Sequence, residues 1–273
     1  MSEAAARAGG SRRRVALVVQ RYGPAIDGGS ETLCREVAER LRHHYDVEVV
    51  TTAAADYLTW KNEYAAGRSS IGGVDVVRFS VTTRRRVRSF GRLSDRLYRT
   101  PHTVEDEIDW MIRQGPRTPE LLTYLKESTG SFDAFVFFTY LYYTTYFGLP
   151  LVAGKSVLVP TLHDEPPARF DIFRGLFHLP RRFVWNTPEE RELARSMFGI
   201  AADGEVAGIG IGVAAAAAAG SDFRRRHGLG EFLLYLGRLD VWKGVPELLE
   251  HFQRYRAERA PEIALVLAGK AHM

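Results

Sequence analysis

Two cations stand five residues apart between Gly237 and Gly244, where Arg238 and Lys243 follow an apolar run at 232–236 and precede a helical pattern at 245–259. A guanidinium can hold two phosphate oxygens at once, and an ammonium adds a point charge. Together these two side chains could neutralise a diphosphate. Ordinary solvated loops have similar composition, so the residues alone leave both interpretations open.

A glycine-rich turn that includes Gly28 and Gly29 separates the first apolar run, 15–19, from a helical stripe that begins near Ser30. Backbone N–H groups in such a turn can approach a phosphate, and the helix N-terminus adds positive potential. A tight turn without a bound phosphate would have the same glycine-rich sequence. A second glycine cluster, 208–212, resembles a dinucleotide fingerprint but lacks the strand and helix on either side of it, so we interpret it as an interdomain crossover.

His163 follows an apolar run at 156–161 and is followed by Asp164 and Glu165. A histidine at the carboxyl end of a parallel strand is placed for contact with a ligand, although a structural histidine competes with that interpretation. No further ligands are suitably spaced around the two acids. We therefore expect no metal.

Seven arginines lie between residues 84 and 99, where Asp95 is the only acid. They could form a solvated loop and helix face, or a patch for anionic lipid or a phosphorylated acceptor. Nucleic acid binding is a third option, which no reader motif supports. We single out Arg84, Arg85, Arg86 and Arg88 as acceptor or membrane contacts. Trp60, in the loop after the second predicted strand, could stack on a sugar ring or pack that loop down.

Strands and helices alternate along the chain, which predicts a doubly wound α/β domain over residues 14–212. A helix is predicted to start at Thr187, with Pro188 at its first position and Glu190 completing a capping box. Strands are predicted at 15–19, 47–52, 75–81, 132–138, 156–161 and 183–185.

The remaining segments suggest a second domain. Residues 213–222 are alanine-rich, and we predict a linker over 213–230. A second Rossmann-like domain is predicted to begin at 231 and to be incomplete, because one βαβ unit leaves a sheet face uncovered. Residues 1–13 are predicted to be a disordered tail.

The composition excludes several classes of protein. The 273 residues carry a net charge of +4 and a single cysteine. One cysteine excludes an internal disulfide and fits a reducing compartment. So balanced a charge argues against nucleic acid as a partner. No window is apolar enough for a spanning helix, so we expect a cytoplasmic protein, at most peripheral at the membrane.

Several of these motifs together resemble one enzyme family. The GGSE turn at 28–31, the strand end at His163, the helix TPEERELARSMFG and the stretch LGRLDVWKGVPELLEHF…LVLAGK resemble the GT4 family of GT-B fold glycosyltransferases. The resemblance covers about residues 14–273. GRLD followed by KG before an LLE helix is its most specific part.

The resemblance implies a retaining enzyme that uses a nucleotide sugar and needs no metal or other cofactor. Its active site would lie in a cleft between two Rossmann-like domains. Gly28 and Gly29 would approach the donor diphosphate or the nearby acceptor. Arg238 and Lys243 would hold the diphosphate and stabilise the leaving group, and His163 would lie near the donor sugar. The acceptor would be a glycan, whose hydroxyl attacks the donor sugar from the face that the leaving phosphate vacates. The arginine-rich segment favours a membrane-linked or anionic acceptor, such as a lipid-linked glycan.

One departure leaves an alternative open. The family carries a glutamate pair, Glu-x7-Glu, after the stretch at which this sequence ends. We therefore expect part of the donor domain to lie outside this sequence, and a non-catalytic nucleotide- or sugar-binding fragment is the alternative. A nicotinamide-dependent oxidoreductase would need GxGxxG at the first turn, which GPAIDGGSE lacks.

Overall fold

The computed structural model describes residues 12–208, residue 210 and residues 219–269. The chain divides into two compact units, Met1–Gly210 and Ile211–Met273. Most of the alanine run, residues 214–218, and three of the five residues of the 208–212 glycine cluster lie outside the described residues, as do the first eleven residues of the predicted tail.

The first unit is built on an eight-stranded sheet with the order β3-β4-β2-β1-β5-β6-β7-β8. All neighbouring strands run parallel except β3 and β4. This arrangement confirms the predicted α/β architecture. The strands are β1 Arg14–Val18, β2 Asp46–Thr52, β3 Gly67–Ile71, β4 Val74–Phe79, β5 Ala134–Phe138, β6 Ser156–Val159, β7 Arg182–Trp185 and β8 Gly204–Val206.

Helices cover this sheet on both faces, which explains why its central strands are apolar without alternation. In β1, Ala16 and Val18 face one buried cluster, whereas Val15 and Leu17 face the other. The helices are α1 Gly29–Leu41, α2 Val87–Arg99, α3 Val104–Gln114, α4 Pro119–Glu127, α5 Tyr143–Gly148, α6 Asp171–Phe177 and α7 Pro188–Phe198.

Two strands were not predicted, because their sequences lack an apolar run. β3 pairs with β4 through the two-residue turn Gly72-Gly73, and both glycines have positive φ, 58° and 75°. Two successive positive φ values match the hairpin turn that suits twisted strands. β8 is a three-residue edge strand, Gly204–Val206, in which Glu205 and Val206 are exposed.

Only half of the capping box predicted at the start of α7 forms. Thr187 Oγ1 accepts the Glu190 N–H at 3.0 Å, and the helix ends at Gly199 with a left-handed φ of 65°. The Glu190 carboxylate does not complete a capping box but turns towards two other N–H groups, described below. A complete box forms instead at α3, between Thr103 and Asp106.

Within residues 219–269, which the structure describes, the second unit contains one βαβ arrangement. Its elements are α8 Ala219–His227, β9 Phe232–Leu236, α9 Val245–Glu258 and β10 Ala264–Ala268, with β9 and β10 parallel. Helix α8 occupies part of the segment predicted as a linker. Leucines of β9 are exposed, including Leu236 at 79%. Among the residues that the structure describes, no helix is long and apolar enough to cross a membrane.

Candidate functional site

The carboxyl ends of the parallel strands form one edge of the first unit's sheet, which is where ligands bind in open α/β sheets. The loop after β1 is held there by Arg21. Its guanidinium donates to Glu31 Oε1 at 2.8 and 2.6 Å and to the Ala55 carbonyl at 2.9 Å. Both side chains of this ion pair are buried. The pair therefore ties the loop after β1 to the loop after β2.

The two glycines of the first turn have different roles. A Cβ on Gly28 would lie 2.0 Å from Glu31 Oε2, so this position accommodates the buried carboxylate. A Cβ on Gly29 would meet no atom within 4 Å. Only Gly29, at the exposed start of α1, faces open space. The close approach at Gly28 is thus explained by a neighbouring side chain, whereas a phosphate contact at Gly29 stays a prediction.

The ends of β5 and β6 are strained where they meet this edge. Thr139 and Thr161 have φ values of 64° and 52°. β-Branched residues rarely adopt a positive φ, and such outliers cluster at functional sites. The Thr139 N–H donates to the Val159 carbonyl at 2.8 Å, so the two strained positions lie on adjacent strand ends. No sequence signal marks them.

His163 is exposed in the loop that follows β6. The acids beside it are engaged elsewhere. Asp164 pairs with Arg169 at 2.5 Å, and Glu165 accepts the Tyr140 hydroxyl at 2.8 Å. Burial, reinforced by Glu165, raises the pKa of Tyr140. No group of three potential metal ligands occurs among the described residues.

Glu190 joins the ends of β6 and β7. Its Oε1 accepts the Leu162 N–H at 2.7 Å, and its Oε2 accepts the Asn186 N–H at 2.6 Å. The residue is buried. One carboxylate thus fixes the backbone immediately before His163 and immediately before α7. Sequence analysis identified Glu190 as a capping residue and missed this role.

Two of the predicted contact residues lie in the interior. Trp60 is fully buried and donates its Nε1–H to the Gln114 carbonyl at 2.6 Å. Arg85 is only 9% exposed, and it donates to Gln114 Oε1 at 2.7 Å and to the Leu58 carbonyl at 2.8 Å. Burial lowers the pKa of Arg85. Neither side chain offers a surface to an acceptor or a membrane.

The other three arginines of that prediction, Arg84, Arg86 and Arg88, are exposed. They lie before and within the first turn of α2. The sequence did not separate them from Arg85, because all four belong to one cluster of identical residue type.

The second unit places Arg238 and Lys243 in an exposed turn after β9. Gly237 and Gly269 end the two parallel strands, and a Cβ on Gly269 would lie 1.7 Å from the Gly237 carbonyl oxygen. The two strand ends therefore lie so close together at Gly269 that a side chain does not fit there.

The turn then closes on α9. The Lys243 N–H donates to the Asp240 carbonyl at 3.1 Å, and Gly244 has a left-handed φ of 70° immediately before the helix. The predicted cations thus stand on a short turn between a strand end and a helix start, an arrangement suited to phosphate.

No family model matches this sequence, and no curated protein matches it. Solved structures do match its fold. A sucrose-phosphate synthase from Thermosynechococcus elongatus has a TM-score of 0.64 at 15% identity, covering 94% of this chain and 62% of that one. An α,α-trehalose 6-phosphate synthase from Burkholderia multivorans has a TM-score of 0.58 at 15% identity, covering 94% and 64%.

A third similar structure is Anabaena HepE in complex with UDP, with a TM-score of 0.55 at 16% identity, covering 95% of this chain and 61% of that one. This chain therefore spans less than two thirds of each of these proteins. At such low identity the likeness shows the fold, which is of the GT-B type predicted from the sequence.

Proposed function

We propose that this chain belongs to a GT4-like glycosyltransferase that moves a sugar from a nucleotide sugar to a glycan or lipid-linked glycan, with retention of configuration. The observation that carries the proposal is the turn bearing Arg238 and Lys243, at glycine-lined strand ends in a chain of GT-B fold. The solved structures support the donor class, since one of them holds UDP. The resulting role would be in glycan biosynthesis.

In this proposal the acceptor hydroxyl oxygen forms a bond to the anomeric carbon while the bond from that carbon to the diphosphate breaks. The hydroxyl proton passes to the departing phosphate oxygen. Arg238 and Lys243 stabilise the negative charge that develops on the leaving diphosphate, which is where charge stabilisation accelerates transfer most. Gly29 offers its N–H to a phosphate, and His163 contacts the donor sugar. The reaction as proposed uses no metal.

The test measures binding and turnover by the purified chain against a panel of UDP-, GDP- and ADP-sugars. Arg238→Ala with Lys243→Ala should weaken nucleoside diphosphate binding by at least tenfold and abolish turnover. The matched control is Arg226→Ala with Arg259→Ala, which removes the same charge from exposed positions in the same unit. The control should behave as the unmodified chain.

The alternative, a non-catalytic nucleotide- or sugar-binding fragment, makes a different prediction. It requires nucleotide binding that depends on Arg238 and Lys243 but no transfer to any acceptor. An Arg238/Lys243 double variant that binds and turns over normally would refute the donor-site assignment under either alternative.

A further inference from the structure

One face of α2 is lined with arginines. At 3.6 residues per turn, Arg88, Arg92, Arg96 and Arg99 fall within roughly 80° of the helix circumference. Ser94 and Leu97 are buried on the opposite side. Arg84 and Arg86 extend the exposed row beyond the helix N-terminus.

Internal ion pairs do not account for most of this row. Arg96 pairs with Asp106 at 3.0 Å. Within the described parts of the chain, the other exposed members of the row form no ion pair; they are Arg84, Arg86, Arg88, Arg92 and Arg99. Five guanidinium groups therefore point their charge towards solvent.

The placement of three of them opposes the stability of the helix. The N-terminus of a helix carries partial positive charge and favours acids, not bases. The first turn of α2 contains no acid, while Arg84, Arg86 and Arg88 surround it. Folding alone does not explain these residues, whereas an anionic partner at this end would.

Exposed apolar side chains stand beside the same end. Val87 is 45% exposed and Leu58 is 40% exposed. Leu58 is brought there by Arg85, whose Nε–H donates to the Leu58 carbonyl at 2.8 Å and whose backbone N–H donates to the Thr59 carbonyl at 2.9 Å. Guanidinium groups beside aliphatic side chains are typical of surfaces that bind the bilayer interface.

The opposite end of α2 approaches the sheet edge that forms the candidate site. The Tyr98 ring lies 5.8 Å from the Phe170 ring, which belongs to the segment following β6 and His163. A bilayer against α2 would therefore lie close to the carboxyl ends of the strands.

We infer that the α2 arginine surface, defined as Arg84, Arg86, Arg88, Arg92 and Arg99 with Leu58 and Val87, binds an anionic lipid bilayer. A helix of 13 residues is about 20 Å long. Its arginines therefore extend over several lipid headgroups, and a single phosphate could not contact all of them. The exposed aliphatic side chains of this surface suit a bilayer interface.

The test is co-sedimentation of the full chain with phosphatidylcholine vesicles, with and without phosphatidylglycerol. We expect binding only to the anionic vesicles, weakened by added salt. Each basic residue near an anionic leaflet contributes about a factor of five. Replacing Arg84, Arg86 and Arg88 by Ser should therefore lower the partition coefficient about a hundredfold, while the thermal midpoint stays unchanged or rises.

Two further variants make the test specific. Arg181, Arg182 and Arg195 are exposed elsewhere in the same unit, and their replacement by Ser removes the same charge. This control should retain vesicle binding. Leu58→Ser with Val87→Ser should weaken binding to vesicles but leave retention on a heparin column unchanged.

Three results would overturn the inference. They are a failure of the unmodified chain to bind anionic vesicles, vesicle binding by the Arg84/Arg86/Arg88 variant that equals that of the unmodified chain, and a loss of vesicle binding in the Arg181/Arg182/Arg195 control as large as in that variant. Loss of RNA binding but not of vesicle binding in that variant would assign the surface to nucleic acid instead. None of these measurements uses a sugar donor, so their outcome is independent of the proposed glycosyl transfer.

Discussion

The guanidinium carbon of Arg85 lies 4.9 Å from the centre of the Trp60 ring, in the interior of the first unit. The same guanidinium lies 5.3 Å from the Tyr57 ring and 5.1 Å from the Phe90 ring. Its N–H groups are bonded to Gln114 and to the carbonyls of Tyr57 and Leu58. Arg85 thus fastens the loop after β2 to the start of α2 and to the end of α3.

Arg85→Ala should lower the free energy of unfolding by about 3 kcal/mol, since it leaves two carbonyls and an amide oxygen without their donor and opens space among aromatic rings. Arg86→Ala, one residue away and exposed, should change it by less than about 0.5 kcal/mol. Urea unfolding of both variants checks the difference. Equal stability of the two would contradict the interior role of Arg85.

Gly28 and Gly29 should respond differently to the same substitution. Gly28→Ala forces the Glu31 carboxylate away from Arg21 and should cost about 1–3 kcal/mol in unfolding free energy. Gly29→Ala meets open space and should be neutral or slightly stabilising, because alanine is the better helix former.

Urea unfolding of the single variants and of Gly28→Ala in a Glu31→Ala background measures this effect. The cost of Gly28→Ala should largely disappear in that background, because the clashing carboxylate is gone. A cost that persists would assign the requirement for glycine to the backbone instead.

The central strands of the first unit could be predicted from sequence because helices cover both faces of the sheet and so demand continuous apolar runs. β1 was predicted at 15–19 and lies at Arg14–Val18. β3 could not be predicted, because an exposed hairpin strand of glycine, arginine and serine carries no apolar pattern.

The candidate site was less predictable, because residue type does not determine whether a side chain points into the interior or towards solvent. Arg84, Arg85 and Arg86 are alike in sequence, but the chain enters α2 in an extended conformation at Arg86, with φ −86° and ψ 91°. Successive side chains of extended backbone point to opposite sides, so the middle arginine turns inward. The strained backbone of Thr139 and Thr161 depends on contacts between strand ends and leaves no local signature.

His102 should make stability depend on pH. Its Nδ1 lies 2.8 Å from the Thr100 carbonyl oxygen and its Nε2 lies 3.0 Å from Glu107 Oε1, so both ring nitrogens face acceptors. Only the imidazolium can donate to both. The hydrogen bond to Thr100, followed by the bond to Glu107 and the charge of Asp106, raises the pKa of His102 above its ordinary value of 6.5, against the opposing effect of burial.

Because the folded pKa exceeds the unfolded one, the stabilisation is complete below the unfolded pKa and is lost as pH rises through the folded pKa. The unfolding free energy of the unmodified chain should therefore fall relative to His102→Gln as pH rises from about 6 to about 9. His178→Gln, at an exposed position, is the control. A pH-independent difference between the unmodified chain and His102→Gln would show that the imidazolium contributes nothing.

Glu190 offers the sharpest test of how the strand ends are held. Its two carboxylate oxygens accept the N–H groups of Leu162 and Asn186, whereas the amide of glutamine can accept at only one of its two ends. Glu190→Gln should therefore leave one buried N–H without an acceptor and lower the unfolding free energy by about 2 kcal/mol. Hydrogen exchange should accelerate at the amide of Leu162 or Asn186.

The neighbouring Glu189→Gln changes an exposed side chain and should alter neither the unfolding free energy nor the exchange rates. Unchanged exchange at both amides in Glu190→Gln would mean that the loop preceding His163 is held by other contacts.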